Sequence, residues 1–366
     1  MSRTTPPRSV DIADIFPELA PLAKQAVRLH PREGLPTVHE SSVGGPLVWP
    51  ADETWPTCVE EHHNAHPPVS LDDIRNMRAM LDAAWRRPHD PREFRLNPEE
   101  RAHFATLRAG HPAHTEPNAL LPVAQLYLRD VPGLAGPEGA DLLQVLWCPL
   151  DHDNELPSAR LVWRNAASVG TLLTDPPEPA DVQYYGSYVP APCVLHPEVV
   201  TEYPAPHELP EELADRLHDW GEQQELPDCP AWHNHPEGLS CRVRDAEDEE
   251  GEDPEAGLGG PYYERELSVA PGWKVGGWAP WMHGDPRPLH CDACNARYKP
   301  LFTIDSGESS GWSNTWTPLV DLEKPSGPIG LRTPADAPMV KIGRGHRMQI
   351  YVCPTSFDHP HLEVMQ

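Results

Sequence analysis

Two stretches of this chain occur twice and in the same order, which restricts the fold more than any single motif does. Val43-Gly44-Gly45-Pro46-Leu47-Val48-Trp49-Pro50 returns as Val275-Gly276-Gly277-Trp278-Ala279-Pro280-Trp281, and Leu143-Gln144-Val145-Leu146-Trp147-Cys148-Pro149 returns as Met348-Gln349-Ile350-Tyr351-Val352-Cys353-Pro354. An Asp-His pair follows each closing stretch, Asp151-His152 in one copy and Asp358-His359 in the other. Self-similarity of this kind predicts a duplicated unit. The repeated runs are short, rich in Val, Leu and aromatics, and bounded by Pro, Gly or Asp, which predicts strands. The expected class is therefore α+β and mainly β: tandem duplicated β-rich units with an N-terminal helix and helical insertions.

Four regions follow. Residues 1–40 are expected to be an N-terminal helical segment, because Ile12, Ile15, Leu19, Leu22, Ala26 and Leu29 recur at helical spacing, with breaks at Pro17 and Pro21. Residues 41–165 make the first repeat and carry a helical insertion at 71–108, where Ile74, Met77, Leu81 and Trp85 share a face. Its strands are expected at 123–128, 142–147 and 160–163. Residues 166–272 read as a linker with one helix over 211–225, built on Leu213, Leu217 and Trp220, and a solvated acidic loop at 245–255. Residues 273–366 make the second repeat, with strands at 301–305 and 349–353 and another extended piece within 336–347. The Gly-Gly pairs are expected to shape a turn or bulge, since glycine accepts positive φ and lets another backbone approach. Neither pair is followed by the GK[ST] of a phosphate-cradling loop.

Composition narrows the function classes. The 47 prolines argue against long uninterrupted helices. With 56 acidic against 29 basic residues the formal charge is -27, which repels nucleic acid and anionic membranes and favours a basic protein as partner. No stretch approaches the ~18 apolar residues of a membrane span, and the N-terminus has no long apolar leader core, so the expected location is cytoplasmic. Eight cysteines spread over 366 residues are too sparse for a disulfide framework and read as reduced thiols or metal ligands.

The cysteines and histidines cluster by repeat. Cys291 and Cys294 stand at knuckle spacing in a Pro-rich loop, and Cys353 with His359, or His361, completes four ligands for a structural zinc if the repeat folds these segments together. Buried reduced cysteines, a redox dithiol and a disulfide are the alternatives. At the equivalent place the first repeat offers Cys58 with His62 or His63, and Cys148 with His152, a weaker zinc pattern of Cys-x3-His at both ends. Cys229, His233, His235 and Cys241 in the linker are a third candidate.

Beyond the duplication, Ser41-Ser42-Val43-Gly44-Gly45 with Trp49-Pro50, Trp55-Pro56, Pro122-Val123-Ala124-Gln125-Leu126 and the preceding Arg28-Leu29-His30-Pro31 resembles the YwqG-like family of bacterial proteins. Lys274-Val275-Gly276-Gly277 to Trp281, with Cys291-Asp292-Ala293-Cys294 and Tyr351-Val352-Cys353, is also similar to segments of eukaryotic programmed cell death protein 2 and its relatives. The resemblance implies a duplicated, mainly β fold with no assigned enzymatic activity. It implies stoichiometric binding to another protein, as an immunity-type inhibitor of a secreted toxin or as an escort of a basic ribosomal protein. The helical insertion and the long acidic linker depart from the family pattern, so no partner identity is carried over.

No catalytic signature stands out. Gly307-Glu308-Ser309-Ser310-Gly311 matches the G-x-S-x-G hydrolase elbow but lacks the helix that must follow, so a turn is expected. His207-Glu208 lacks the second histidine of a zinc protease. A metal-dependent hydrolase around Cys291, Cys294 and His359 is one alternative function. A carbohydrate or peptide groove lined by Trp278, Trp281, Trp312 and Trp316 is another, set against plain core packing of the same rings. The leading expectation is a non-catalytic protein-binding protein with structural zinc and a basic partner; oligomeric state is not legible.

Overall fold

A computed structural model describes residues 3–88, 95–152, 155–224, 262–281, 286–309, 315–322 and 332–366. The strands are β1 Lys24–Arg28, β2 Arg32–Glu33, β3 Ser42–Val43, β4 Thr57–Cys58, β5 Asn118–Ala119, β6 Leu121–Tyr127, β7 Leu142–Trp147, β8 Ala159–Arg164, β9 Cys193–Val194, β10 Glu198–Glu202, β11 Lys274–Gly276, β12 Lys299–Asp305, β13 Arg347–Val352 and β14 Leu362–Met365. They form two six-stranded antiparallel sheets, β2-β9-β3-β6-β7-β8 and β10-β1-β11-β12-β13-β14, and a small β4-β5 pair. The α+β, mainly β class follows. The last four strands of each large sheet are the two copies of the repeat, in the same order.

The copies share an irregularity. In β6-β7 the register shifts between Pro122 and Ala124, and in β12-β13 it shifts between Pro300 and Phe302. Proline lacks the N–H needed for the ladder, so a bulge forms at the same X-Pro in both sheets. Beside it, a buried pair bonds across each sheet: Gln144 donates to Gln125 Oε1 at 3.0 Å, and Thr303 Oγ1 to Gln349 Oε1 at 2.7 Å. Gly44 (φ 61°) in the first copy, and Gly276 (φ 71°) and Gly277 (φ 73°) in the second, take the left-handed region expected of the repeated glycines. A Cβ on Gly277 would stand 2.2 Å from Glu202 Oε2. That position is closed to any side chain.

The two sheets are cross-linked by one ribbon. Its strands run 24–33 and 193–202, pairing in a single continuous register from Lys24 with Glu202 to Glu33 with Cys193. Leu29-His30-Pro31 and Leu195-His196-Pro197 mark where each passes from one sheet to the other, and His30 turns there with φ 44°. Each large sheet therefore takes an inner strand from the segment that introduces the other repeat: β1 lies against β11, and β9 against β3. The expected N-terminal helix is corrected accordingly. Only Ile12–Ile15 is α-helical (α1), a 3-10 turn covers Pro17–Leu22, and residues 24–28 are strand, because Pro17 and Pro21 interrupt the helical ladder. The region expected as a linker likewise contributes β9 and β10. A second Leu-His-Pro was the sequence signal for both.

The insertion is helical as expected, with α2 at Leu71–Trp85 and α3 at Pro98–Leu107. Ser70 and Asp73 form a reciprocal capping box at the start of α2, and Leu71, Ile74, Met77 and Ala84 bury one face. The helix α4, Glu211–Glu222, packs Leu213 and Leu217 on Ile12, Phe16, Leu19 and Tyr263. The acidic loop at 245–255 lies outside the described residues. One apolar cluster runs through both sheets, joining Val27, Val43, Leu126, Val145 and Trp147 to Trp273, Val275, Phe302, Ile304 and Ile350. Fully burying each of these large side chains contributes roughly 1.5–3 kcal/mol, so the repeats are stabilised jointly rather than as separate cores.

Two buried ionic groups sit where the ribbon crosses. Arg28 donates to the carbonyls of Pro271, Trp316 and Glu308, and His30 lies between Glu308 Oε1 at 2.5 Å and Glu198 Oε2 at 2.9 Å. Lys274 pairs with Glu202 at 2.5 Å, both fully buried, and Glu202 also accepts the N–H groups of Ala270 and Trp278. No helix among the described residues is long and apolar enough to cross a membrane.

Candidate metal centres

Both expected tetrads come together. Cys58, His62, Cys148 and His152 converge in the first repeat, and Cys291, Cys294, Cys353 and His359 in the second, with one ligand atom of each residue within 4.8 Å of the others. Cys148 directly follows β7 and Cys353 directly follows β13, so the last strand-end residue of the repeated motif supplies the same ligand twice. The loop that follows brings back the histidine, and the loop after the repeated Gly-Gly brings the other two groups.

Local structure aims these side chains. Cys58 is fixed on β4 by its pairing with Asn118. The His62 loop is tied down by His63 N–H to Asp151 O at 2.8 Å and Asp151 N–H to Asn64 Oδ1 at 3.0 Å. His152 Nδ1 lies 3.3 Å from Leu156 O, which sets that nitrogen as donor and turns Nε2 toward Cys58 Sγ at 3.4 Å, with Glu60 Oε2 at 3.6 Å. In the second repeat the chain folds back between bridged His290 and Arg297, with Asn295 N–H bonding Cys291 O at 2.7 Å. Asn295 takes φ 59°, a conformation asparagine tolerates well.

The shortest spacings come within a few tenths of an ångström of a tetrahedral site. Around zinc, with bonds of about 2.3 Å to sulfur and about 2.0 Å to nitrogen, neighbouring ligand atoms stand about 3.5–3.8 Å apart. Here Cys148 Sγ to His62 Nε2 is 3.4 Å, Cys291 Sγ to His359 Nδ1 is 3.7 Å, Cys353 Sγ to His359 Nδ1 is 3.3 Å and Cys294 Sγ to Cys353 Sγ is 3.4 Å. All six cysteines among the described residues are free thiols in this structure. The redox-dithiol alternative lacks its context, since Cys291 and Cys294 do not open a helix.

Within the first tetrad the hydrogen bond with Cys148 lowers the Cys58 thiol against burial, with His152 and His62 adding to the effect, and Cys148 is pushed up in return. Burial opposes ionisation of Cys353, yet hydrogen bonds from Thr355 and His359 bring it to about 5. Anionic sulfur facing neutral or protonated imidazole is the charge arrangement that a divalent cation replaces.

The remaining candidates separate. His361 points away from the second tetrad, with Nε2 at 3.1 Å from Ala159 O and 3.2 Å from Glu363. Cys229, His233, His235, Cys241 and Trp312 lie outside the described residues. Of the tryptophans expected to line a groove, Trp316 is wholly buried, its indole N–H bonding Arg265 O, whereas Trp278 and the largely buried Trp281 line a cleft of about 300 Å³ with Tyr298 and Tyr351. Large aromatic area is worth most inside a β-rich core. In the hydrolase-like turn, Glu308 is committed to Arg28 and His30. A third convergence, of His111, His114 and Asp181, had no counterpart in the sequence expectations because Asp181 stands 67 residues beyond His114. No family model matches the chain, and no curated protein does.

Proposed function

We propose that the chain is a non-catalytic, stoichiometric protein-binding protein whose two repeats are each locked by a structural zinc ion. The observation that carries this reading is that each tetrad gathers four protein ligand atoms within 4.8 Å of one another, a complete set for a structural zinc with no position left for water or substrate. Filled sites of this kind hold loops in place. The partner is a basic protein, favoured by the formal charge of -27, and the specific form, in line with the resemblance to YwqG-like proteins, is an immunity-type inhibitor, with escort of a basic protein as its nearest variant.

The test uses untagged protein. Metal analysis after dialysis against a mild chelator is expected to find two zinc equivalents, and affinity capture from native lysate to recover one basic protein in equal amount at low salt, released as salt rises. Metal-free protein with an unaltered melting transition would overturn the zinc, and capture that is absent or indifferent to salt would overturn the basic partner.

A further inference from the structure

We propose that His111, His114 and Asp181 form a third metal site, separate from the two cysteine tetrads, which takes one divalent transition-metal ion such as zinc and leaves one coordination position open. The carboxylate is built in rather than incidental. Its side chain is 5 % exposed, and Asn118 clamps the Asp181 backbone from both sides, accepting its N–H at 3.2 Å and donating to its carbonyl at 2.8 Å. Oδ2 accepts the backbone N–H of His114 at 2.8 Å, which fixes the loop. Oδ1 then faces two imidazole nitrogens, His114 Nδ1 at 2.6 Å and His111 Nδ1 at 3.7 Å.

The rings are delivered by a turn that only glycine permits. Gly110 has φ 71°, and a Cβ there would stand 2.9 Å from the Pro68 carbonyl; the next residue, His111, donates its N–H to that same carbonyl at 2.9 Å. Both histidines lie in the segment after α3, which the second repeat lacks, so the site is not part of the duplicated scaffold. Two imidazoles and a carboxylate are a donor set suited to zinc and its neighbours, and three protein ligands define an open site. His111 also lines a cleft of about 790 Å³ shared with His62 and His66, which gives water or a small ligand access to it. Before metal enters, the 2.6 Å contact is a hydrogen bond and His111 Nδ1 lies 3.1 Å from the Pro112 carbonyl; loading places the proton of each ring on Nε2, leaving both Nδ1 lone pairs for the metal.

Cobalt(II) reads this site apart from the tetrads, because thiolate ligands give intense near-ultraviolet charge-transfer bands and a histidine-carboxylate site gives none. Protein with its tetrads in their as-purified state is dialysed against a mild chelator and titrated with cobalt(II). One saturable equivalent is expected, with weak visible bands and no thiolate band. His114→Ala and Asp181→Asn should each weaken it by at least about 10-fold, with melting unchanged in His114→Ala. Absence of a saturable equivalent free of thiolate bands, or such an equivalent that His114→Ala leaves intact, would each overturn the site; thiolate bands, if they appear, report cobalt in an unfilled cysteine tetrad. The readout stands whether or not the cysteine tetrads prove to hold zinc.

Discussion

The two tetrads occupy one place in a duplicated fold but differ in donors and in shelter. In the first repeat two thiols and two imidazoles meet, with Cys58, Cys148 and His152 all buried; in the second, three thiols and one imidazole meet, and Cys294 is exposed. With zinc the first would be neutral and the second would carry one negative charge. The difference teaches that the fold supplies the position of a centre, while the loop sequence chooses its ligands and its exposure. Cys-x3-His on a short strand seals a site, and a tight Cys-x2-Cys turn leaves its second sulfur on the surface.

The sharpest way to break this comparison is to remove one ligand at a time. Cys148→Ser and Cys353→Ser are each expected to lose one zinc equivalent and to destabilise the protein by several kcal/mol, since structural zinc binding contributes on the order of 10 kcal/mol to folding. Cys294→Ser should cost less than either, because its sulfur is already solvated. Metal content and calorimetric melting check the order; equal losses at all three positions would show that exposure does not matter.

The buried polar position beside the Gly-Gly motif differs between repeats in the same way. Lys274 pairs with Glu202, and its counterpart by register, Ser42, has a buried hydroxyl without a hydrogen-bond partner. Lys274→Met should cost about 3–5 kcal/mol, because it strands a buried carboxylate. Ser42→Ala should be neutral within about 0.5 kcal/mol. Urea unfolding of the two variants measures the gap.

Smaller effects come from where the sheets' outer strands meet, with Trp163 on Phe357 and Glu363 accepting the Ala159 N–H. Burial would raise Glu363, but the hydrogen bond and charge of His361 hold it below its ordinary 4.5; burial would lower His361, but Glu363 holds it above 6.5. Glu363 thus contributes stability above pH 4.5 that is lost as pH falls through its depressed pKa. His361 contributes stability below pH 6.5 that is lost as pH rises through its raised pKa. Their joint contribution, about 1 kcal/mol, is therefore expected to be fullest between 4.5 and 6.5. Unfolding of Glu363→Gln across pH should converge on wild type outside that window. Least of all, Arg75→Ala, which removes an exposed pair with Glu178, should change stability by under about 0.5 kcal/mol in the same assay.

Much of the candidate site was legible because chemistry leaves short-range marks. Cys291 and Cys294 declare a turn by their spacing, and the repeated strand-end Cys148 and Cys353 declare equivalence by their neighbours. The strand at 24–28 was not legible: Ala26 and Leu29 continue an apolar rhythm that begins in a true helix, and only pairing with residues near 200 reveals the extended backbone. Strand exchange between repeats is a long-range event whose one local mark is the repeated Leu-His-Pro at 29–31 and 195–197. His111, His114 and Asp181 were hidden for the same reason, since Asn118 positions the carboxylate from a distant segment.

The crossed ribbon has a bearing on how the molecule comes apart. Because residues 24–28 complete the sheet of the later half and 193–194 complete that of the earlier half, neither half is self-sufficient. A chain nicked between residues 172 and 190 should stay assembled as two interlocked fragments, and either fragment made alone would present a bare sheet edge and find its fold only by meeting the other.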